Sequence, residues 1–143
     1  MDKEGGVFMK AASKLFAFFV LAVLCSVISP QTAAAKPHVL FHTEHVYMHH
    51  AGEVEVVGYF ENDGDEGAYA QWLEMDLTLI ADNGQQMWSD YGIRHYPDDS
   101  VWVPEGSYIA YTFYIQNPDI PEYHGHYRWK TRNNRTHWSK AAG

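Results

Sequence analysis

Cysteine is all but missing from this chain of 143 residues: Cys25 is the only one. That excludes a disulfide framework, a thiolate metal knuckle and, outside the segment holding Cys25, a cysteine nucleophile. Basic residues are also scarce, with 10 Lys+Arg against 18 Asp+Glu and a formal charge of -8. A nucleic-acid binder normally carries the opposite footprint, so that class is set aside. Long apolar runs are limited to one, residues 15–28 (LFAFFVLAVLCSVI), and such a run is short of the ~20 residues that cross about 30 Å of hydrocarbon. No Gly-x-Ser-x-Gly elbow and no glycine-rich phosphate loop occurs. Low-complexity tracts, internal repeats and sustained helical periodicity are absent as well. What remains is 46% hydrophobic and 15% aromatic, a composition that folds around a core rather than staying disordered.

The apolar run belongs to a targeting signal. Lys10 and Lys14 precede it, Pro30 follows it, and Thr32-Ala33-Ala34-Ala35 places small residues at the -3 and -1 positions of a cleavage site. The expectation is a secretory signal peptide over residues 1–35, cut near Ala35. Met9 makes a cleaner start than Met1, because Asp2 and Glu4 dilute the basic region. Lipid attachment at Cys25 is not expected, since Leu24 stands where a small residue is needed. The mature chain is then residues 36–143, secreted or periplasmic, with no cysteine and no second apolar segment of membrane length.

Charge is unevenly spread along that mature chain. It holds 16 acids and 7 bases, and five of the bases (Arg128, Lys130, Arg132, Arg135 and Lys140) follow Tyr127. The body is therefore strongly acidic and the tail basic. Either the tail lies against its own acidic body, the favoured arrangement, or it is a docking end for an anionic partner.

Alternation dominates the mature sequence. Val54, Val56 and Phe60 fall on one side of their segment and Glu53, Glu55 and Glu61 on the other, the period-two pattern of a half-buried strand. Leu73, Met75, Leu77 and Leu79 repeat it, as do Ile109, Tyr111, Phe113 and Ile115. Weaker strands are read at residues 39–48, 87–93 and 127–131, the last with Tyr127, Trp129 and Thr131 on one side and Arg128, Lys130 and Arg132 facing solvent. The Asp82-Asn83-Gly84 turn is a strong hairpin signal. About six short strands with such punctuation predict an all-β, antiparallel two-sheet sandwich in one domain over residues 36–143.

The runs Glu55-Val-Val-Gly-Tyr-Phe-Glu-Asn62, Leu77-Thr-Leu-Ile-Ala-Asp-Asn-Gly84 and Val103-Pro-Glu-Gly106, together with Tyr111-Thr-Phe113, resemble small exported bacterial immunoglobulin-like sandwiches of the FxLYD type and related accessory domains. The resemblance implies an immunoglobulin-like fold and an extracytoplasmic compartment. It brings no shared catalytic residues.

Histidine is the compositional surprise, with all nine in the mature part. Imidazole is the commonest transition-metal ligand, and zinc or copper (or nickel) would suit a set made of His38, His42, Glu44, His45, His49, His124 and His126. On a continuous strand His38, His42 and Glu44 share one side and His45 and His49 the other, while His124 and His126 share a side two residues apart. That division works against one tetrahedral site, and no spacing matches a zinc signature such as H-E-x-x-H. Surface histidines are the plainer reading. Since an ordinary imidazole titrates near 6.5, solubility and self-association are expected to respond to mild acid.

Aromatic residues supply the remaining candidates. Trp72, Tyr59, Tyr108 and Tyr114 fall on sides assigned to solvent, where they can meet a sugar ring or a protein. A partner, protein or envelope polymer, is accordingly expected at Arg128, Lys130, Arg132, Trp72 and Tyr114. The acidic pair Asp98-Asp99 beside Pro97 has the look of a solvated turn, and a small sandwich lacks the cleft that two glycosidic carboxylates require. The chain is thus read as a non-catalytic interaction or envelope-accessory module, with a histidine-dependent metal-binding protein as the alternative. Asn134-Arg135-Thr136 matches the N-glycosylation acceptor, incidental in a bacterial host.

Overall fold

A computed structural model describes residues 36–143. The expected signal peptide, its cleavage site and Cys25 lie outside the described residues. Those described form strands and connecting turns without a helix. The strands are β1 (Val39–His50), β2 (Glu53–Asn62), β3 (Ala68–Ala81), β4 (Gln86–His95), β5 (Val101–Val103), β6 (Ser107–Gln116) and β7 (Tyr127–Ser139). They make two antiparallel sheets. The first has the order β1-β2-β6, and the second has β3 at its centre, with β4 and β5 along one side and β7 along the other.

Period two carries the architecture. On β3 Leu73, Met75, Leu77 and Leu79 are all buried, and Val54, Val56 and Phe60 of β2 and Phe113 and Ile115 of β6 join them in one core drawn from both sheets. Phe41 meets Phe60 and Phe113 edge-on, at 5.2 and 5.7 Å between centroids, the geometry that aromatic quadrupoles prefer. Between β3 and β4 the Asn-Gly hairpin closes as read: Gly84 has φ 83°, its N–H donates to the Ala81 carbonyl at 3.0 Å, and the Ala81 N–H donates to the Gln85 carbonyl at 2.9 Å.

Bulges interrupt this regularity and decide which side each residue faces. Glu44 is an extra residue of β1 between the Thr43–Gly58 and His45–Val57 pairs. Upstream of it Val39 and Phe41 point into the core, and downstream Val46 does. Tyr91 and Gly92 of β4 oppose Asp76 alone, and Asn133 and Asn134 of β7 oppose Met75 alone. Gly92 (φ 63°) and Asn133 (φ 52°) take the left-handed conformation there, which Gly and Asn tolerate best. Asp76 fastens both deviations, accepting from the Gly92 N–H at 2.8 Å and the Asn133 side-chain amide at 2.6 Å.

Asn62 is a fully buried polar side chain at the end of β2. Its Oδ1 accepts from the N–H groups of His38 and Gly64 at 3.1 and 3.0 Å. Its Nδ2 donates to the carbonyls of Glu66 and Val103 at 2.8 and 3.1 Å. One amide therefore ties together the start of β1, the turn after β2 and the short β5, with every strong hydrogen-bonding position filled.

The outer border of β1 meets β7 through hydroxyl groups. Thr136 Oγ1 accepts from the Phe41 N–H at 3.0 Å. Tyr127 Oη accepts from the Met48 N–H at 3.1 Å and donates to the Val46 carbonyl at 2.9 Å. The Asn134 side-chain oxygen is buried, and the Thr136 hydroxyl of the same glycosylation-like triplet is engaged by the Phe41 N–H.

Candidate functional site

The bulge at Glu44 overturns the division of histidines expected from a continuous strand. His42 points outward before it, and because Glu44 shifts the alternation, His45, Tyr47 and His49 point outward after it. These side chains share the outer side of the first sheet with Tyr59, Tyr108 and Tyr114. They do not converge. His38 pairs with Asp63, His42 with Glu61 at 2.7 Å, His49 with Glu55, His50 with Glu53 at 3.2 Å and His124 with Glu122 at 3.1 Å. His45 packs on Tyr47 at 4.1 Å instead. Five imidazoles are matched to five different carboxylates, and no three metal-ligating side chains come together among the described residues. His124 and His126 lie in the loop before β7 rather than on a strand, so the expected shared side is lost. Of the expected set, His38, His42, His49 and His124 each pair with a separate carboxylate, while Glu44, His45 and His126 have no such partner among the described residues.

Carboxylates and tyrosines define this surface. β1, β2 and β6 contain no Lys or Arg. Tyr108 is 72% exposed, Tyr114 53% and Tyr47 42%, and Tyr59 lies between His42 and Tyr108, at 5.1 and 5.7 Å between centroids. Small Ala110 leaves a depression of about 380 Å³ walled by Tyr59, Tyr108, Glu44 and Glu61.

The outer side of the second sheet has the opposite character. Glu74 on β3 receives Arg94 from β4 at 2.7 Å and Arg135 from β7. Those hydrogen bonds, Arg135 first, hold its carboxyl below the usual carboxylate range. Arg94 also lies 4.1 Å over Trp72, which stacks with His137. Trp72 is thus on the outer side, as expected, but dressed by two neighbours. Lys140 reaches Glu66 at 2.8 Å. The arrangement of the basic tail against its own body is therefore realised by two of its five cations. Arg128, Lys130 and Arg132 form no ion pair among the described residues. They alternate along exposed positions of β7, about 7 Å apart by strand geometry. Beside Lys130 and Arg132 is a depression of about 310 Å³ lined also by Asp76, Thr78, Gln86 and Tyr91; Tyr91 is 75% exposed, and the Asp76 carboxylate is engaged by the Gly92 N–H and the Asn133 amide.

One histidine outside the clustered ones has a structural post. His95, half-buried at the end of β4, bonds Tyr111 Oη at 2.7 Å and stacks on Phe113 with centroids 4.5 Å apart. Burial lowers its pKa, against the opposing pull of Asp98. The fold thus favours neutral imidazole: the contribution is complete above the unfolded value near 6.5 and is lost as pH falls below it. His50, raised by the Ala51 carbonyl and by Glu53, acts in the opposite sense. His95→Gln keeps a hydrogen-bonding group without the charge. Its denaturation midpoint should fall less than that of the parent between pH 7 and pH 5, and equal falls would remove His95 from the acid response.

No known protein family, curated protein sequence or solved structure matches the chain. Among the described residues no helix is long and apolar enough to cross a membrane.

Proposed function

We propose that this chain is an exported, non-catalytic, immunoglobulin-like domain that engages an anionic partner at the cell envelope through the outer side of β7. The observation that carries the reading is the row Arg128, Lys130 and Arg132, without ion-pair partners in an otherwise acidic domain and bordered by a depression offering Thr78, Gln86 and Tyr91. Anions are repelled from most of this molecule, so the row focuses them. Aromatic and amide groups beside the cations suit a hydroxylated or carboxylated polymer as well as a protein carboxylate.

Strand pairing supports the immunoglobulin-like part. The β1-β2-β6 sheet pairs as strands A, B and E do in that fold, and β3 with β4 and β7 pairs as C does with C′ and F. The basic start, apolar run and Ala35 junction support export. The non-catalytic part is supported by where titration is perturbed: the Glu74 and Arg94 ion-pair network, the His95–Tyr111 contact and His50 beside the Ala51 carbonyl have structural causes, and none aligns a nucleophile with a base.

Binding of a soluble polyanion such as polygalacturonate tests the reading by fluorescence anisotropy. Each exposed charge contact is worth about 0.5 kcal/mol, so Arg128→Glu, Lys130→Glu and Arg132→Glu together should weaken binding about ten-fold or more. Added salt should do the same. Binding that ignores both the triple reversal and salt would refute the assignment.

A further inference from the structure

We propose that copies of this chain associate head to tail, the cationic row on β7 of one molecule seating on the acidic, tyrosine-bearing outer side of the β1-β2-β6 sheet of the next. The proposal rests on the anion-binding reading of β7 and names the partner as a second copy of this chain.

Complementarity between the two surfaces carries the inference. β7 holds four bases and no acid; β1, β2 and β6 hold Glu44, Glu53, Glu55 and Glu61 and no Lys or Arg. The acidic surface also supplies what a long basic side chain needs to dock. The depression of about 380 Å³ beside Ala110 is lined by Tyr59, Tyr108, Glu44 and Glu61. Glu44 has no ion-pair partner among the described residues, and an Arg or Lys head placed there meets carboxylate and aromatic ring together. Exposed tyrosines on the same side of the sheet, Tyr108 beside the depression and Tyr114 farther along β6, are the residue type enriched in protein interfaces.

The two surfaces are the outer sides of two facing sheets, so they look in opposite directions. A molecule that uses its row on one neighbour keeps its acidic side for another. Such a contact is heterologous, cannot be satisfied twice within a pair, and repeats along an open chain of molecules. Ionic strength should act in two directions. The domain as a whole is acidic, and screening over roughly 10 Å at 0.1 M salt relieves repulsion between whole molecules while leaving touching charges effective. At 1 M the reach falls to about 3 Å and the contact itself weakens. Association is therefore greatest at intermediate salt.

Sedimentation equilibrium of the purified chain tests this. At 0.1 M salt the weight-average mass should rise with protein concentration between about 10 µM and about 1 mM and return to the monomer value at 1 M salt. A row-reversed variant (Arg128→Glu, Lys130→Glu, Arg132→Glu) and a face-reversed variant (Glu44→Lys, Glu61→Lys) should each stay monomeric, with circular dichroism and cooperative melting confirming the fold. Mixing the two should restore the mass increase, because each then offers the surface the other needs. If the face-reversed pair fails to fold, Glu44→Gln with Glu61→Gln removes the charges more gently and should weaken parental association. A parental mass flat across concentration and salt, association surviving in the row-reversed variant, or folded variants that ignore each other would each overturn the proposal. Polyanion binding that depends on the row while the mass stays monomeric defeats self-association alone and leaves the anion-binding reading standing.

Discussion

Asn62→Leu is expected to cost the domain about 3–6 kcal/mol, the greater part of the stability that a domain of this size possesses. Leucine fills the volume but leaves two donors and two acceptors behind: the N–H groups of His38 and Gly64 and the carbonyls of Glu66 and Val103. Each group stranded away from water costs about 1–3 kcal/mol, less for those near enough to the turn to regain a water molecule. The loss is spread over three segments that the amide joins, so the start of β1, the residue 63–67 loop and β5 should loosen together. Urea titration followed by tryptophan fluorescence measures it. A shift below about 1 kcal/mol would show that water replaces the side chain at no great cost.

The second large effect is expected at Gly58, on the inner side of β2 opposite the β1 bulge. A Cβ there would collide with the His42 carbonyl oxygen and come within 2.7 Å of the Phe41 ring. The oxygen belongs to backbone and cannot rotate away, and Phe41 is wedged between Phe60 and Phe113. Gly58→Ala should therefore destabilise by about 3 kcal/mol or more, a fall in melting temperature on the order of 10–20 °C for a domain of this length. Gly84→Ala is the comparison: its φ of 83° is unfavourable, yet no atom lies within 4 Å of the added carbon, so the cost should stay near 1 kcal/mol. Equal losses at the two positions would mean that backbone conformation, not the close approach of β1, governs Gly58.

Much of this architecture was readable because half-buried strands write their sides into the sequence. Leu73, Met75, Leu77 and Leu79 turn inward as their alternation requires, as do Tyr127, Trp129 and Thr131. Tyr108 and Tyr114 stand outward for the same reason. The division of histidines on β1 departs from its reading at a bulge. One extra residue at Glu44 moves His45 and His49 to the side of His42, and no local alternation announces it. The signal for such insertions was weak but present elsewhere: Gly92 and the Asn133-Asn134 pair are residues that accept a left-handed conformation. β5 escaped notice because three residues, Val101–Val103, are too few for a period. The second half of β7 escaped because Asn133, Asn134 and Arg135 look like a solvated tail, although Thr136 and Trp138 still alternate inward. Which of the five basic residues find a carboxylate depends on the pairing of β7 with β3, a property of two distant segments that composition cannot express.

The hydroxyls of Thr136 and Tyr127 have a further consequence. They occupy backbone positions of β1 that an unprotected sheet border would offer to any extended polypeptide, and they do so from the far end of the chain. A nascent molecule whose last strand has not yet arrived therefore carries an open template for amyloid-like stacking. Docking of the carboxy-terminal strand is thus expected to close this border against the addition of a further strand.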